Sequence, residues 1–130
     1  MRIGCLALRA PTGIGFEMET VMQHLEKEHE IFVLGFPHHE MGFPDGWDRL
    51  NMIRVNDPAK VSNKQIITWI KNNKLDLVLT KENTYNPRFF EIAKSMGVTT
   101  VSSVDLECFD YRNHRWKYCD LIICLTNHTV

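Results

Sequence analysis

Apolar residues along this chain fall into two kinds of stretch that alternate: short continuous runs, and longer segments in which they recur every three or four positions. The continuous runs are Arg2 to Leu8, Ile31 to Phe36, Met52 to Val55, Leu77 to Thr80, Thr99 to Val104 and Leu121 to Leu125. Runs of this length with no polar alternation predict strands covered on both faces, as in a parallel sheet. Between the first two runs, Met18, Val21, Met22 and Leu25 stand at i, i+3, i+4 and i+7 and predict a helix over about Phe16 to Glu28. Ser62 followed by Gln65 is a capping-box pattern, and Ile66, Ile67 and Ile70 supply a buried face before Asn72-Asn73 end the helix. Asn86-Pro87 reads as a cap and first position, with Phe90, Ala93 and Met96 forming a stripe that stops at Gly97. A shorter helix is predicted over Asp110 to Tyr118.

Strands alternating with helices predict βαβ units, and hence a doubly wound α/β fold of about six parallel strands with helices on both faces. The expected order is 3-2-1-4-5-6, with the first strand central and right-handed crossovers. At 130 residues the chain fits one domain, residues 1–130. One long irregular stretch interrupts the pattern, from Pro37 to Trp47, rich in Pro and Gly and expected to be either functional or mobile.

Composition narrows the function classes. The chain is 44% hydrophobic and 24% charged, and no apolar run is long enough to span a bilayer. The opening Met1-Arg2-Ile3-Gly4-Cys5-Leu6 lacks the continuous apolar region and cleavage site of a secretion signal, so it reads as a first strand. With 15 basic and 16 acidic residues interleaved and a net charge of −1, there is no basic stripe to neutralise a phosphate backbone, and no nucleic-acid partner is expected. The four cysteines, Cys5, Cys108, Cys119 and Cys124, contain no C-x-x-C pair. Two of them sit in strand-like runs, so free thiols and a cytoplasmic location are expected. His114, Cys119 and Cys124 match no structural zinc spacing, and neither a metal nor a cofactor is expected.

Candidate chemistry gathers where a doubly wound sheet places its ligand loops, at the carboxyl ends of the strands. Pro11-Thr12-Gly13-Ile14-Gly15-Phe16-Glu17 joins the first strand to the first helix. Glycines there let a phosphate or sugar approach the amides at the positive end of the helix, although a tight turn without a ligand uses the same residues. Met18 stands where the dinucleotide fingerprint needs a third glycine, so that fingerprint is excluded. Glu82, Asn83 and Arg88 flank the start of the third helix, and Asp105 and Glu107 follow the fifth strand on the same rim. Glu82 and Arg88 serve equally well as a surface ion pair, and Asp105 and Glu107 as caps or solvated charges. His24, His29, His38 and His39 read as solvated. Trp47, Trp69 and Trp116 fit packing better than ligand stacking.

The strand followed by Thr12-Gly13-Ile14-Gly15 and an amphipathic helix resembles the opening of GT-B glycosyltransferases of the group 1, glycogen-synthase-like retaining type. Leu75 to Leu79 followed by Glu82-Asn83-Thr84-Tyr85-Asn86-Pro87-Arg88, and Cys119 to Thr126, are similar to later segments of that family's N-terminal, Rossmann-like domain. The resemblance implies the acceptor-side half of an enzyme that transfers a sugar from a nucleotide-sugar donor to a glycan or other hydroxyl acceptor. It implies Gly13, Ile14 and Gly15 near the donor diphosphate. The family's paired-glutamate signature and its loop histidine are missing here, so no catalytic residue is assigned. A C-terminal partner domain or self-association would complete the site, and the chain by itself is expected to be inactive. The alternative is a stand-alone nucleotide- or protein-binding module that catalyses nothing.

Overall fold

The structure is a computed structural model that describes residues 1–9, 13–37, 51–54, 61–81, 86–105 and 112–124. Six strands, β1 (Arg2–Arg9), β2 (Glu30–Pro37), β3 (Asn51–Arg54), β4 (Leu77–Lys81), β5 (Thr99–Val104) and β6 (Leu121–Cys124), form one sheet. Their order is β3-β2-β1-β4-β5-β6, and every neighbouring pair is parallel. The helices are α1 (Gly13–Leu25), α2 (Asn63–Asn73) and α3 (Phe89–Ser95), with a 3-10 helix, η1, at His114–Tyr118.

Side chains alternate across a strand, so each central strand feeds two cores. Ile3, Cys5, Ile31, Val33, Leu79 and Val101 point to the α1 face, where they bury Met18 and Met22. Leu6, Phe32, Leu34, Val78 and Val104 point to the other face, into a larger core with Trp69, Phe89, Phe90 and Trp116. Trp69 and Phe89 rings lie 6.4 Å apart, and Phe90 and Trp116 rings 6.1 Å apart. Both described tryptophans therefore pack, as expected; Trp47 lies outside the described residues, with the rest of the stretch after Pro37.

Glycine at position 4 permits a close contact between layers. A Cβ there would lie 2.5 Å from Leu75 Cδ1 and 2.7 Å from Trp69 Cη2. The bare backbone of β1 is what lets the indole of α2 lie directly on the sheet.

Helix ends follow local chemistry. Ser62 Oγ accepts from Gln65 N at 3.2 Å while Gln65 Oε1 accepts from Ser62 N at 2.8 Å, completing the capping box that starts α2. The helix ends with Lys74 in the left-handed region at φ 48°. Two predicted starts shift. The first helix begins at Gly13 rather than Phe16, taking Gly13, Ile14 and Gly15 into its first turn, and ends at Leu25. The third begins at Phe89, because the Asn86 side chain accepts from Arg88 N at 2.9 Å and forms a turn ahead of the helix. Asn86 Nδ2 also donates to Val61 O and Asn63 Oδ1, each at 3.0 Å, tying that turn to the start of α2. Gly97, at φ 75°, closes α3 as its pattern predicts. The segment predicted as a helix over Asp110 to Tyr118 is a 3-10 turn from His114, and its first residues lie outside the described set.

At the outer side of β5, Asp120 fastens β6. Its carboxylate accepts from Thr100 N at 3.0 Å and from Lys94 Nζ at 2.6 Å, and its own amide donates to Thr100 O at 2.9 Å. The Lys94 ammonium, then the Thr100 amide and hydroxyl, pull the Asp120 pKa down from 3.8 to about 2.

Gly4→Ala is expected to destabilise the domain by about 1–3 kcal/mol through overpacking, read as a lower urea midpoint at unchanged slope. Asp120→Ala is expected to cost about 1 kcal/mol at neutral pH, because the Lys94–Asp120 pair is itself partly exposed. A carboxylate whose folded pKa is depressed stabilises fully above its ordinary 3.8, and that contribution is lost as pH falls through about 2. Denaturation of both proteins across this range should show a constant gap above pH 4 that closes at the acid end.

Candidate functional site

The chain leaves β1 through α1 on one face and reaches β4 from α2 on the other, so adjacent β1 and β4 form the point at which connections change sides. Ligands of open α/β sheets bind outside the carboxyl ends of the strands at such a point. Here that rim carries the first turn of α1, the last residue of β4 and the residue after β5.

Lys81 ends β4 on the α1 face, two positions beyond Leu79, with its side chain only 4% exposed. Its ammonium lies 2.5 Å from Glu17 Oε2 on α1 and 3.2 Å from Asp105 Oδ1 after β5. Burial favours the neutral amine, but hydrogen bonds and charge from Glu17 and Asp105 outweigh it and raise the Lys81 pKa. The lysine is therefore a fixed cation clamping three elements together. Glu17 is 53% exposed and Asp105 27% exposed, so water and solutes reach the carboxylates while the ammonium stays inside. The triad carries a formal charge of −1.

Below Lys81 and Glu17 opens a groove of about 680 Å³ between α1 and strands β4 to β6. Phe16, Val21, Leu79 and Ile123 provide its apolar walls, and Thr20 and Ser103 add hydroxyls. Its volume and its mixture of apolar walls with a few polar groups are those of a small-molecule site.

The expected site residues divide. Asp105 joins the triad. Gly13 is exposed at the start of α1, with open space where a Cβ would stand; Ile14 is half-buried and Gly15 buried within the same turn. Gly15 thus belongs to a helix rather than an open loop. Arg88 caps the start of α3, which packs on the opposite face, and its guanidinium pairs with Glu91 at 3.1 Å in that helix's first turn. Glu82, Asn83 and Glu107 lie outside the described residues, as do His38, His39 and Cys108. Sequence reasoning missed Glu17, Lys81 and the groove. The signal for Lys81 was a charge at the end of an apolar strand run, which alone reads as the strand's exit into solvent.

The described thiols, Cys5, Cys119 and Cys124, are free. Burial pushes the Cys5 thiol up to about 12, which makes it inert. Among the described residues, no cluster of three metal-ligating side chains occurs and no helix is long and apolar enough to cross a membrane. No known protein-family profile matches the chain, and no curated protein matches it.

Lys81→Met is expected to cost about 2 kcal/mol at neutral pH, less than the roughly 3–5 kcal/mol of a fully buried pair because Glu17 keeps solvent access. Since the folded lysine has the raised pKa, its contribution is complete below 10.5 and is lost as pH rises through the folded value. Urea melts of both proteins should therefore converge only at alkaline pH.

Proposed function

We propose that this domain forms the acceptor side of a sugar-transferring enzyme resembling the group 1 GT-B type, with the acceptor's hydroxyls held at the rim between β1 and β4. The observation that carries this reading is the Glu17–Lys81–Asp105 triad. Carboxylates are acceptor-only groups, and they suit a polyol, whose every hydroxyl is a donor. The Glu17 carboxylate, 53% exposed, repels phosphate from this part of the rim. A nucleotide-sugar's diphosphate belongs instead at the exposed start of α1, where Gly13 leaves room for it beside the helix's positive end.

In this reading the domain contributes position rather than proton transfer. Lys81 fixes Glu17 and Asp105 before the acceptor arrives, so the hydroxyl to be glycosylated is oriented without reorganisation of the site. A stand-alone binding module is the second reading. It is favoured by Lys81 itself, which, locked as an ammonium between two carboxylates, serves as neither base nor nucleophile.

Calorimetric titration of the whole chain with a panel of methyl glycosides and nucleotide-sugars tests the proposal. Glu17→Gln is expected to weaken glycoside binding about tenfold, the loss of one charge-assisted hydrogen bond, and to leave nucleotide-sugar binding unchanged. Absence of glycoside binding, or binding indifferent to Glu17→Gln, refutes the acceptor assignment. Sugar transfer on addition of a donor-binding domain separates the enzyme from the module.

A further inference from the structure

The apolar stripe on α1 is wider than the sheet beneath it requires. Met18 and Met22 are buried against β1 and β2, whereas Val21 of the same stripe is 41% exposed and Phe16, one turn from the helix start, is 60% exposed. Across from them, Ile123 of β6 is 41% exposed on the same face, with Leu121 beside it at 53%. Phe16, Val21 and Ile123 all line the one groove. Isolated exposed apolar residues are ordinary, but several converging on one concave site mark a binding surface.

The charged lining of the groove is gathered at one end, with the hydroxyls of Thr20 and Ser103 as its other polar groups. There Lys81, nine-tenths buried, lines it together with Glu17, and Asp105, the residue after β5, anchors the ammonium. The ends therefore ask for different chemistry: hydrogen-bond donors without negative charge at the triad, and hydrocarbon along Phe16, Val21, Leu79 and Ile123.

We infer that the groove binds a neutral amphiphile, with a hydroxyl-bearing head on Glu17 and the triad and an apolar tail between α1 and β6. Resting on the acceptor assignment above, it narrows the acceptor to a hydroxyl compound carrying a hydrocarbon tail, such as an alkyl glycoside. An anionic head is repelled by the exposed Glu17 carboxylate. A simple sugar leaves the apolar walls wet and forfeits most of the affinity. The 680 Å³ available accommodates such a ligand as a monomer.

The test is titration of the full chain with octyl glucoside below its micelle concentration, against methyl glucoside and octyl phosphate. Octyl glucoside is expected to bind about 100-fold more tightly than methyl glucoside, from partial burial of its seven additional methylenes, and more tightly than octyl phosphate. Ile123→Glu, on an exposed edge position, should remove at least tenfold of octyl glucoside affinity and leave methyl glucoside unaffected. Val21→Glu, on the exposed side of α1, repeats the test from the opposite wall, and circular dichroism confirms the fold of each. Equal affinity for the octyl and methyl glycosides, or a preference for octyl phosphate, overturns the inference. So does sedimentation showing a dimer that Ile123→Glu dissociates, which makes the groove a contact between copies. Tail dependence is read at Ile123 and Val21, and hydroxyl dependence at Glu17, so failure of this inference and failure of the acceptor assignment give different patterns.

Discussion

A parallel sheet must be covered on both faces, because its side chains alternate and its central strands are apolar throughout. In this domain one face meets that demand with α2, α3 and η1. Among the described residues the other has α1 alone, packed over β1 and β2 and reaching Leu77 and Leu79 of β4 and Val101 of β5. Everything of functional interest follows from that asymmetry. Where α1 stops covering the sheet, a groove opens, and at its upper end a buried lysine meets two carboxylates.

Lys81 illustrates how such a sheet edge handles charge. The alternation that puts Leu77 and Leu79 on the α1 face puts Lys81 there too, so the register of β4 drives the ammonium inward. An isolated buried cation is too costly to keep charged, and the fold supplies Glu17 from one neighbour and Asp105 from another. Asp120 solves the related problem of docking an edge strand by collecting Thr100 and Lys94. The difference between them is exposure. Asp120 works at the surface, where screening limits its worth, whereas Lys81 binds three elements from inside.

The same asymmetry links fold to proposed chemistry. The carboxylates retain solvent access because only the ammonium is enclosed, so the hydroxyl of the proposed ligand would reach them without dismantling the clamp. On the opposite face Gly4 lets Trp69 pack directly on the sheet. The triad draws its members from the end of β4, from α1 and from the residue that follows β5.

Local patterns in the sequence were sufficient for the parallel α/β class, for the positions of its strands, and for helix termini such as the Ser62–Gln65 box and Gly97. These features depend on residues a few positions apart, so periodicity and capping chemistry specify them. The same local logic misplaced the start of α3, where the Asn86 side chain is drawn toward Val61 and Asn63, more than twenty positions away. It offered Arg88 as a ligand contact, and the structure pairs its guanidinium with Glu91 in the first turn of α3. Asp105 was visible as a strand-end carboxylate, but its partner was not. That Glu17, Lys81 and Asp105 meet depends on the pairing of β1 with β4 and β4 with β5, and on where α1 comes to rest. A burial pattern tells a residue which way to face; only the assembled sheet decides what it faces.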